Sequence, residues 1–290
     1  MTRVRVASIN TNGIRAAYRK GMADWLAARD VDVLAIQEVR AELADVVGLL
    51  GPQWHVLHDP AAAKGRAGVV VASRVDGIAG EPHAHRIGGE IAEFAGDGTE
   101  PSGRWLEADF QVAGTPLTVV SAYIHSGEVG TVRQDQKFAF LDAMTTRLPV
   151  LARERQRAVV VGDLNVGTTE HDIKNWRGNV KNAGFLPQER AYFYRFFGAE
   201  GESIEGPDGT TAPGLGWTDV GRTWAGDVDG PYTWWSQRGQ AFDNDTGWRI
   251  DYHVATPALA AGVVDYRVDR YPSYDARWSD HAPVVVDYDI

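Results

Sequence analysis

Asp163 and Asn165 stand two residues apart where the valine run of AVVVGDLN ends. Side chains two apart on a strand face the same side, so both groups would meet at one spot, either closing a turn or holding something there. The same pattern of apolar run and polar end recurs along the chain. Asn10 and Asn12 follow VRVASI, Gln37 and Glu38 follow VDVLAI, and Tyr123 follows LTVVSA. Asp251 interrupts the apolar run of Ile250, Tyr252 and Val254, and Ser279, Asp280 and His281 lead into APVVVDY. Each has a bland reading: Asn10 and Asn12 in a turn, Glu38 capping the next helix, Asp280 and His281 capping a strand entry. Strand boundaries that all carry carboxylate, carboxamide, phenol or imidazole together favour a site, because a sheet rim is a rigid scaffold for positioned groups.

The set has one chemistry in common. Glu38 and Asp280 offer hard oxygen ligands suited to Mg²⁺ or Mn²⁺. The chain has no cysteine, which excludes disulfides, thiol nucleophiles and thiolate metal sites. Asp251 and His281 form a candidate carboxylate–imidazole pair, in which the acid fixes the tautomer and favours the charged ring. Asp163 could take a proton from an attacking water while Asn10 and Asn165 hold phosphate oxygens. That is the inventory for metal-assisted hydrolysis of a phosphodiester. No G-x-S-x-G elbow and no nucleotide-binding P-loop is present.

The elements that must position these groups read as strand and helix in turn. VRVASI, IRAAYRKGMADWLAAR, VDVLAIQ and AELADVVGLL give strand, helix, strand, helix. From Trp54 to Tyr123 strands dominate (WHVL, AGVVVAS, WLEADFQV, PLTVVSAY), and short connections imply antiparallel pairing. TVRQDQKFAFLDAMTTRLPVLARE and PQERAYFYRFFG read as helices, 199–216 as an acidic loop, and YTWWSQ, RIDYHVAT and APVVVDYDI as the closing strand segments. No linker divides the 290 residues, so one domain over 1–290 with two sheets and outer helices is expected.

Hydrophobic residues make up 44% of the chain and charged residues 23%, a globular balance. No run reaches the roughly 18 apolar residues of a membrane span, and MTRVRVASIN enters a strand without a signal-like apolar core. A cytoplasmic location and no membrane association are expected. The net charge of −10 disfavours non-specific nucleic-acid binding unless basic residues gather on one face.

The motifs SINTNGIRAA, LAIQEVR, SAYIHSG, VVGDLNVGTTEHDI, KNAGFLPQERA, TGWRIDYHVAT and WSDHAPV occur in order from residue 8 to residue 284. In this the sequence resembles the exonuclease III family of abasic-site endonucleases, within the endonuclease/exonuclease/phosphatase superfamily. GDLN, SDHAPV and QE resemble the superfamily at large, whereas KNAGFLPQERA and GWRIDY resemble its abasic-endonuclease branch. The resemblance implies a four-layer α/β/β/α sandwich of the DNase I-like kind, α+β, with two mainly antiparallel sheets face to face. It implies Glu38 as main metal ligand with Asn12 and Asp280 nearby, and Asp163 orienting or deprotonating the water with Asn165 and Asn10 as partners. Tyr123 and His281 match groups that contact the scissile phosphate, with Asp251 behind the histidine. Trp234, Trp248 and Ile250 match the wall of a pocket for a flipped abasic sugar, and five of the ten tryptophans lie between residues 217 and 248.

The implied activity is Mg²⁺-dependent (or Mn²⁺-dependent) incision 5′ to abasic sites and trimming of 3′ ends, on duplex DNA with abasic sites, nicks or 3′ ends, by a monomer. Two rivals are a phosphatase or lipid phosphodiesterase of the superfamily, and a DNA-binding adaptor without catalysis. The adaptor reading sits poorly with Glu38, Asp163 and His281 all present. Three features depart from the family pattern: His125 where a proline is usual, Glu128 where some relatives insert a basic side chain into DNA, and 199–216, which reads as an insertion.

Overall fold

The computed structural model describes residues 1–76, 78–82, 84–90 and 103–290. In chain order its first half holds β1 (Arg3–Asn10), α1 (Ile14–Ala17), α2 (Ala23–Arg29), β2 (Val33–Gln37), α3 (Leu43–Leu50), β3 (Trp54–Asp59), β4 (Val69–Arg74), β5 (Ala84–Ile87), β6 (Trp105–Val112), β7 (Thr115–Tyr123) and α4 (Val132–Glu154). There follow β8 (Ala158–Asp163), α5 (Trp176–Asn179), α6 (Pro187–Phe197), β9 (Ser203–Glu205), β10 (Thr211–Pro213), β11 (Thr218–Asp219), α7 (Val220–Ala225), β12 (Asp251–Ala255), α8 (Pro257–Ala260), β13 (Val263–Val268) and β14 (Val284–Asp289).

Two six-stranded sheets form, in the orders β13-β14-β1-β2-β4-β3 and β11-β12-β8-β7-β6-β5. Each has one parallel pair, β1 with β2 and β7 with β8, and its other pairings are antiparallel. Strand parity assigns the faces. Val4, Val6, Val33, Ala35, Val119, Val159 and Val161 fill the interior shared by the sheets. Ala7, Ile9, Leu34 and Ile36 point the other way, under α1, α2 and α3. Val120, Ala122, Val160 and Val254 point outward from the second sheet, onto Leu141, Met144, Leu148 and Leu151 of α4 and Phe193 and Phe196 of α6. The 3- and 4-residue spacing of those α4 side chains makes one apolar stripe. The four-layer sandwich is the expected one.

Three details differ from the sequence reading. The helix expected over 14–29 is broken at Gly21, whose φ of 125° is non-helical. The segment 199–216 is no plain loop: β9 and β10 form an antiparallel hairpin, with Leu215 N–H bonded to the Arg195 carbonyl on α6. YTWWSQ lies outside the regular strands, but Trp234 makes isolated bridges to Trp248 and His281.

Candidate active site

The four strands of the two parallel pairs end on the same rim. Asn10, Gln37, Tyr123 and Asp163 are their last residues, and each continues the interior-facing parity of the valines before it. In the second sheet Tyr123 lies beside Asp163, and Asp163 beside Asp251 at the start of antiparallel β12. This lateral row faces Asn10 across the interior, whose Nδ2 donates to Asp163 Oδ2 at 2.9 Å and to Glu38 Oε1 at 3.0 Å. Gly162 lets β7 and the Gln37 side chain come close to β8, since a Cβ there would lie 2.0 Å from the Ala122 carbonyl oxygen and 3.0 Å from the Gln37 amide. One layer below, Gln37 Nε2 donates to Ser121 Oγ at 3.0 Å, tying the sheets together under the polar rim.

Asp163 and Asn165 close a turn and also face the site. Asn165 lies beyond the strand with φ 52°, so strand parity does not aim it. Its backbone N–H bonds Asp163 Oδ1 (3.0 Å), and its amide reaches back to Asp163 Oδ2 (3.0 Å). Asn10 and Asn12 likewise form a turn, Asn12 N–H on Asn10 Oδ1 at 3.0 Å, while both side chains reach carboxylates. Glu38 caps no helix: α3 is preceded by Glu42, with no side-chain cap. Four rim residues, Asn12, Glu38, Arg40 and Asn165, hold positive φ between 47° and 52°. Such backbone costs free energy and gathers at sites whose surroundings impose it.

His281 sits between two carboxylates. Its Nδ1 is 2.9 Å from Asp251 Oδ2, and its Nε2 is 3.7 Å from Asp163 Oδ2. Ser279 Oγ donates to the Asn10 carbonyl at 2.6 Å and accepts from the His281 N–H at 3.2 Å, which fixes the histidine to β1. Burial works against the imidazolium, but Asp251 and Asp163 overcome it and raise the ring to about 10. Burial pushes Asp163 up to about 7 against the pull of His281, with Asp251 and Glu38 adding to the rise. Burial, with Glu38 and Asp163, also holds the Tyr123 phenol far above its ordinary range, so it is a hydrogen-bond donor.

Two groups of donors could hold a cation. The ligating atoms of Asp163, Asp251 and His281 lie within 4.8 Å of one another. His281 is already engaged there, with Nδ1 on Asp251 and Nε2 facing Asp163, and both carboxylates favour its charged ring. The rim also carries oxygen donors on Glu38, Asn12 and Asp280. Glu38 receives Asn10 and Arg40, and Asp280 receives Asn12 Nδ2 at 3.1 Å and Trp234 Nε1 at 3.2 Å. Asp280 stays below the ordinary carboxylate range although burial opposes it, through His281, Asn12 and Trp234, and is therefore anionic.

Of the five tryptophans in 217–248, Trp217 and Trp235 are buried and Trp224 is exposed. Trp234 and Trp248 are half-buried, meet edge to face at 6.0 Å, and Trp234 lies 6.5 Å from the His281 ring. Ile250 is only 4% exposed and offers little surface to a ligand. Gly184 of KNAGF packs against this wall, since a Cβ there would lie 2.8 Å from Trp248.

Sequence reasoning missed the arginines. A cavity of about 500 Å³ opens beside Glu38 and Tyr123, lined also by Arg40, Arg66, Arg104, His125 and Arg133. The Arg104 guanidinium stacks over the Tyr123 ring at 4.6 Å, with its buried Nε and Nη1 lacking hydrogen-bond partners among the described residues. Positive charge thus gathers at the site although the chain is acidic overall.

Residues 7–281 match the Endonuclease/Exonuclease/phosphatase family. The chain is 30% identical over 282 residues to an exodeoxyribonuclease of Bacillus subtilis, covering 97% of this chain and 98% of that one. It is 28% identical to the DNA repair nuclease APEX1 of Danio rerio, over 98% and 81% of the two chains. Among solved structures, an AP endonuclease from Archaeoglobus fulgidus superposes with a TM-score of 0.74 at 25% identity, covering 99% and 100%. A 3′-5′ exonuclease from Neisseria meningitidis shares the fold with a TM-score of 0.78 at 24% identity, over 99% and 100%. With its rim of paired carboxylates and carboxamides in place, the chain belongs to the Endonuclease/Exonuclease/phosphatase family, on the branch of the exodeoxyribonucleases and abasic-site endonucleases.

Proposed function

We propose that the protein is a divalent-cation-dependent DNA repair nuclease that cuts the phosphodiester 5′ to abasic sites and removes nucleotides or blocking groups from 3′ ends, leaving a 3′-hydroxyl. One observation carries the reading: a buried Asp163, poised near neutral pH, faces an imidazolium and the carboxamide of Asn10, beside a half-buried tryptophan pair. Asp163 orients the attacking water and takes its proton; Asn165 and Asn10 fix the carboxylate that does so. His281, held charged by Asp251, and the protonated phenol of Tyr123 donate to phosphoryl oxygens as negative charge grows there. Glu38, Asp280 and Asn12 would hold Mg²⁺ or Mn²⁺, which when bound supplies Lewis-acid neutralisation of the phosphate. Trp234 and Trp248 would wall a pocket for a sugar without a base, and the arginine-lined cavity would receive backbone phosphate on the other flank.

The enzyme is expected to act as a one-domain monomer in the cytoplasm. Among the described residues no helix is long and apolar enough to cross a membrane. The decisive experiment is incubation with a labelled abasic duplex, a 3′-recessed duplex and a 3′-phosphate duplex, with Mg²⁺, Mn²⁺ or EDTA. Expected are a 3′-hydroxyl product 5′ to the lesion and complete loss in EDTA. Release of phosphate alone, with the abasic duplex intact, would refute the endonuclease reading in favour of a phosphatase.

A further inference from the structure

Beneath the rim lies a charged pair that the chemistry above does not use. Lys137 of α4 and Glu189 of α6 have side chains with 0% exposure and meet at 2.8 Å. The ammonium also donates to the Asn165 carbonyl at 2.8 Å and to the Ser126 carbonyl at 3.4 Å, so its three N–H groups have three acceptors. Glu189 Oε2 accepts from Gly184 N–H at 2.6 Å and Leu186 N–H at 3.1 Å, and Oε1 from Gln134 Nε2 at 2.9 Å.

The three segments joined here are the turn carrying Asn165, the loop after Tyr123, and the KNAGFLPQER segment that packs on Trp248 through Gly184. We propose that Lys137 is a positioning residue for the hydrolytic centre. Its ammonium pins the carbonyl of Asn165, whose left-handed backbone at φ 52° aims the carboxamide at Asp163 Oδ2. Glu189 serves as the counter-anchor. A buried ion pair is a poor device for stability alone, because well-packed apolar residues of similar volume often serve as well or better. Fixing the geometry of three loops at once gives this pair a different task. KNAGFLPQER then acts on the chemistry from behind, by bracing it.

The proposal rests on the hydrolase reading of the rim, and its test uses two substrates for that reason. Lys137→Met leaves Glu189 charged and alone, so the variant that decides is Lys137→Met/Glu189→Gln, which removes both charges and retains an acceptor for Gly184 or Leu186. Thermal melts, kcat and KM are compared with the wild type on an abasic duplex and on bis(p-nitrophenyl) phosphate, which has no strand to bind. The double variant should melt close to the wild type while kcat falls about 10²-fold on both substrates, the usual consequence of roughly 1 Å of misplacement, with KM for the duplex changed less than about threefold. Recovery of kcat together with stability would make the pair structural only and overturn the proposal. If neither variant folds, Lys137→Arg is read on the same measurements, and an unchanged kcat overturns it. Wild-type enzyme that hydrolyses the small ester but not the abasic duplex would refute the DNA reading while leaving Lys137 to be judged on the ester.

Discussion

Replacing Asp163 with Asn separates the turn from the chemistry. The carboxylate accepts the Asn165 N–H on Oδ1, and the amides of Asn10 and Asn165 on Oδ2. An asparagine has one accepting and one donating end. With its oxygen toward the Asn165 N–H the turn survives, but its NH₂ then opposes two other amides, donor against donor. The reverse orientation keeps those bonds and loses the turn. Either way about 1–3 kcal/mol of stability is lost. Starting from an ordinary domain stability of roughly 5 kcal/mol or more, well over nine-tenths of the protein remains folded. Loss of a general base costs about 10²–10⁴ in rate, or roughly 3–5 kcal/mol of barrier. The two effects therefore differ enough to be told apart. Single-turnover cleavage of a labelled abasic duplex, anisotropy with the same duplex in EDTA, and a thermal melt give the three quantities. Cleavage should fall by at least about 10²-fold with binding nearly unchanged and a melt lowered by several degrees. Equal losses of binding and cleavage, or an unfolded fraction large enough to explain the rate, would show that Asp163 serves the turn alone.

Trp248→Ala should weaken cleavage at abasic sites and relax discrimination against intact nucleotides, while leaving bis(p-nitrophenyl) phosphate turnover intact. Because the ring is only half-buried, the melt should fall by less than the roughly 3–5 kcal/mol of a core tryptophan; all activities falling together would refute the pocket. For Asp172, burial favours the neutral acid, but Arg249 and Arg222 hold the carboxyl down at about 2. Its folded-state value lies below the unfolded one, so its stabilisation is present above about pH 4 and lost as pH falls through about 2. The stability gap between wild type and Asp172→Asn should narrow by about 2 kcal/mol over that window, and a constant gap in parallel melts would contradict it.

Much of the sandwich was legible because its central strands are short apolar runs, rich in valine in β4 and β8, buried on both faces and bounded by glycine or polar residues. What escaped lies at edges. β13 is an edge strand, largely half-buried or exposed, with a register shift between Val263 and Asp265. The β9–β10 hairpin has three residues per strand and no alternating apolar face. Gly21 sits inside a helical pattern whose spacing continues past it, so only the backbone shows the break.

The site was legible for a related reason, and its supports were not. On this rim the strands that carry interior parity to their last residue end on polar groups, Asn10, Gln37, Tyr123 and Asp163. In a sequence that appears as an acid or amide after valines. Asn10, Tyr123 and Asp163 reach the rim this way; Asn12, Glu38, Asn165, Asp280 and His281 join them from turns and loops and Asp251 from the start of β12, Trp234 and Trp248 flank the rim, and Ile250 is an apolar side chain buried with little to offer a substrate. Arg104 carried no such signal, because an arginine beside a strand is most often a solvated one. Lys137 did carry one. It precedes Leu141 by four residues and Met144 by seven, on the stripe that α4 buries. A lysine on that stripe needs an anion and carbonyls waiting for it in the interior, and here they belong to Glu189 and to the turn that aims Asn165.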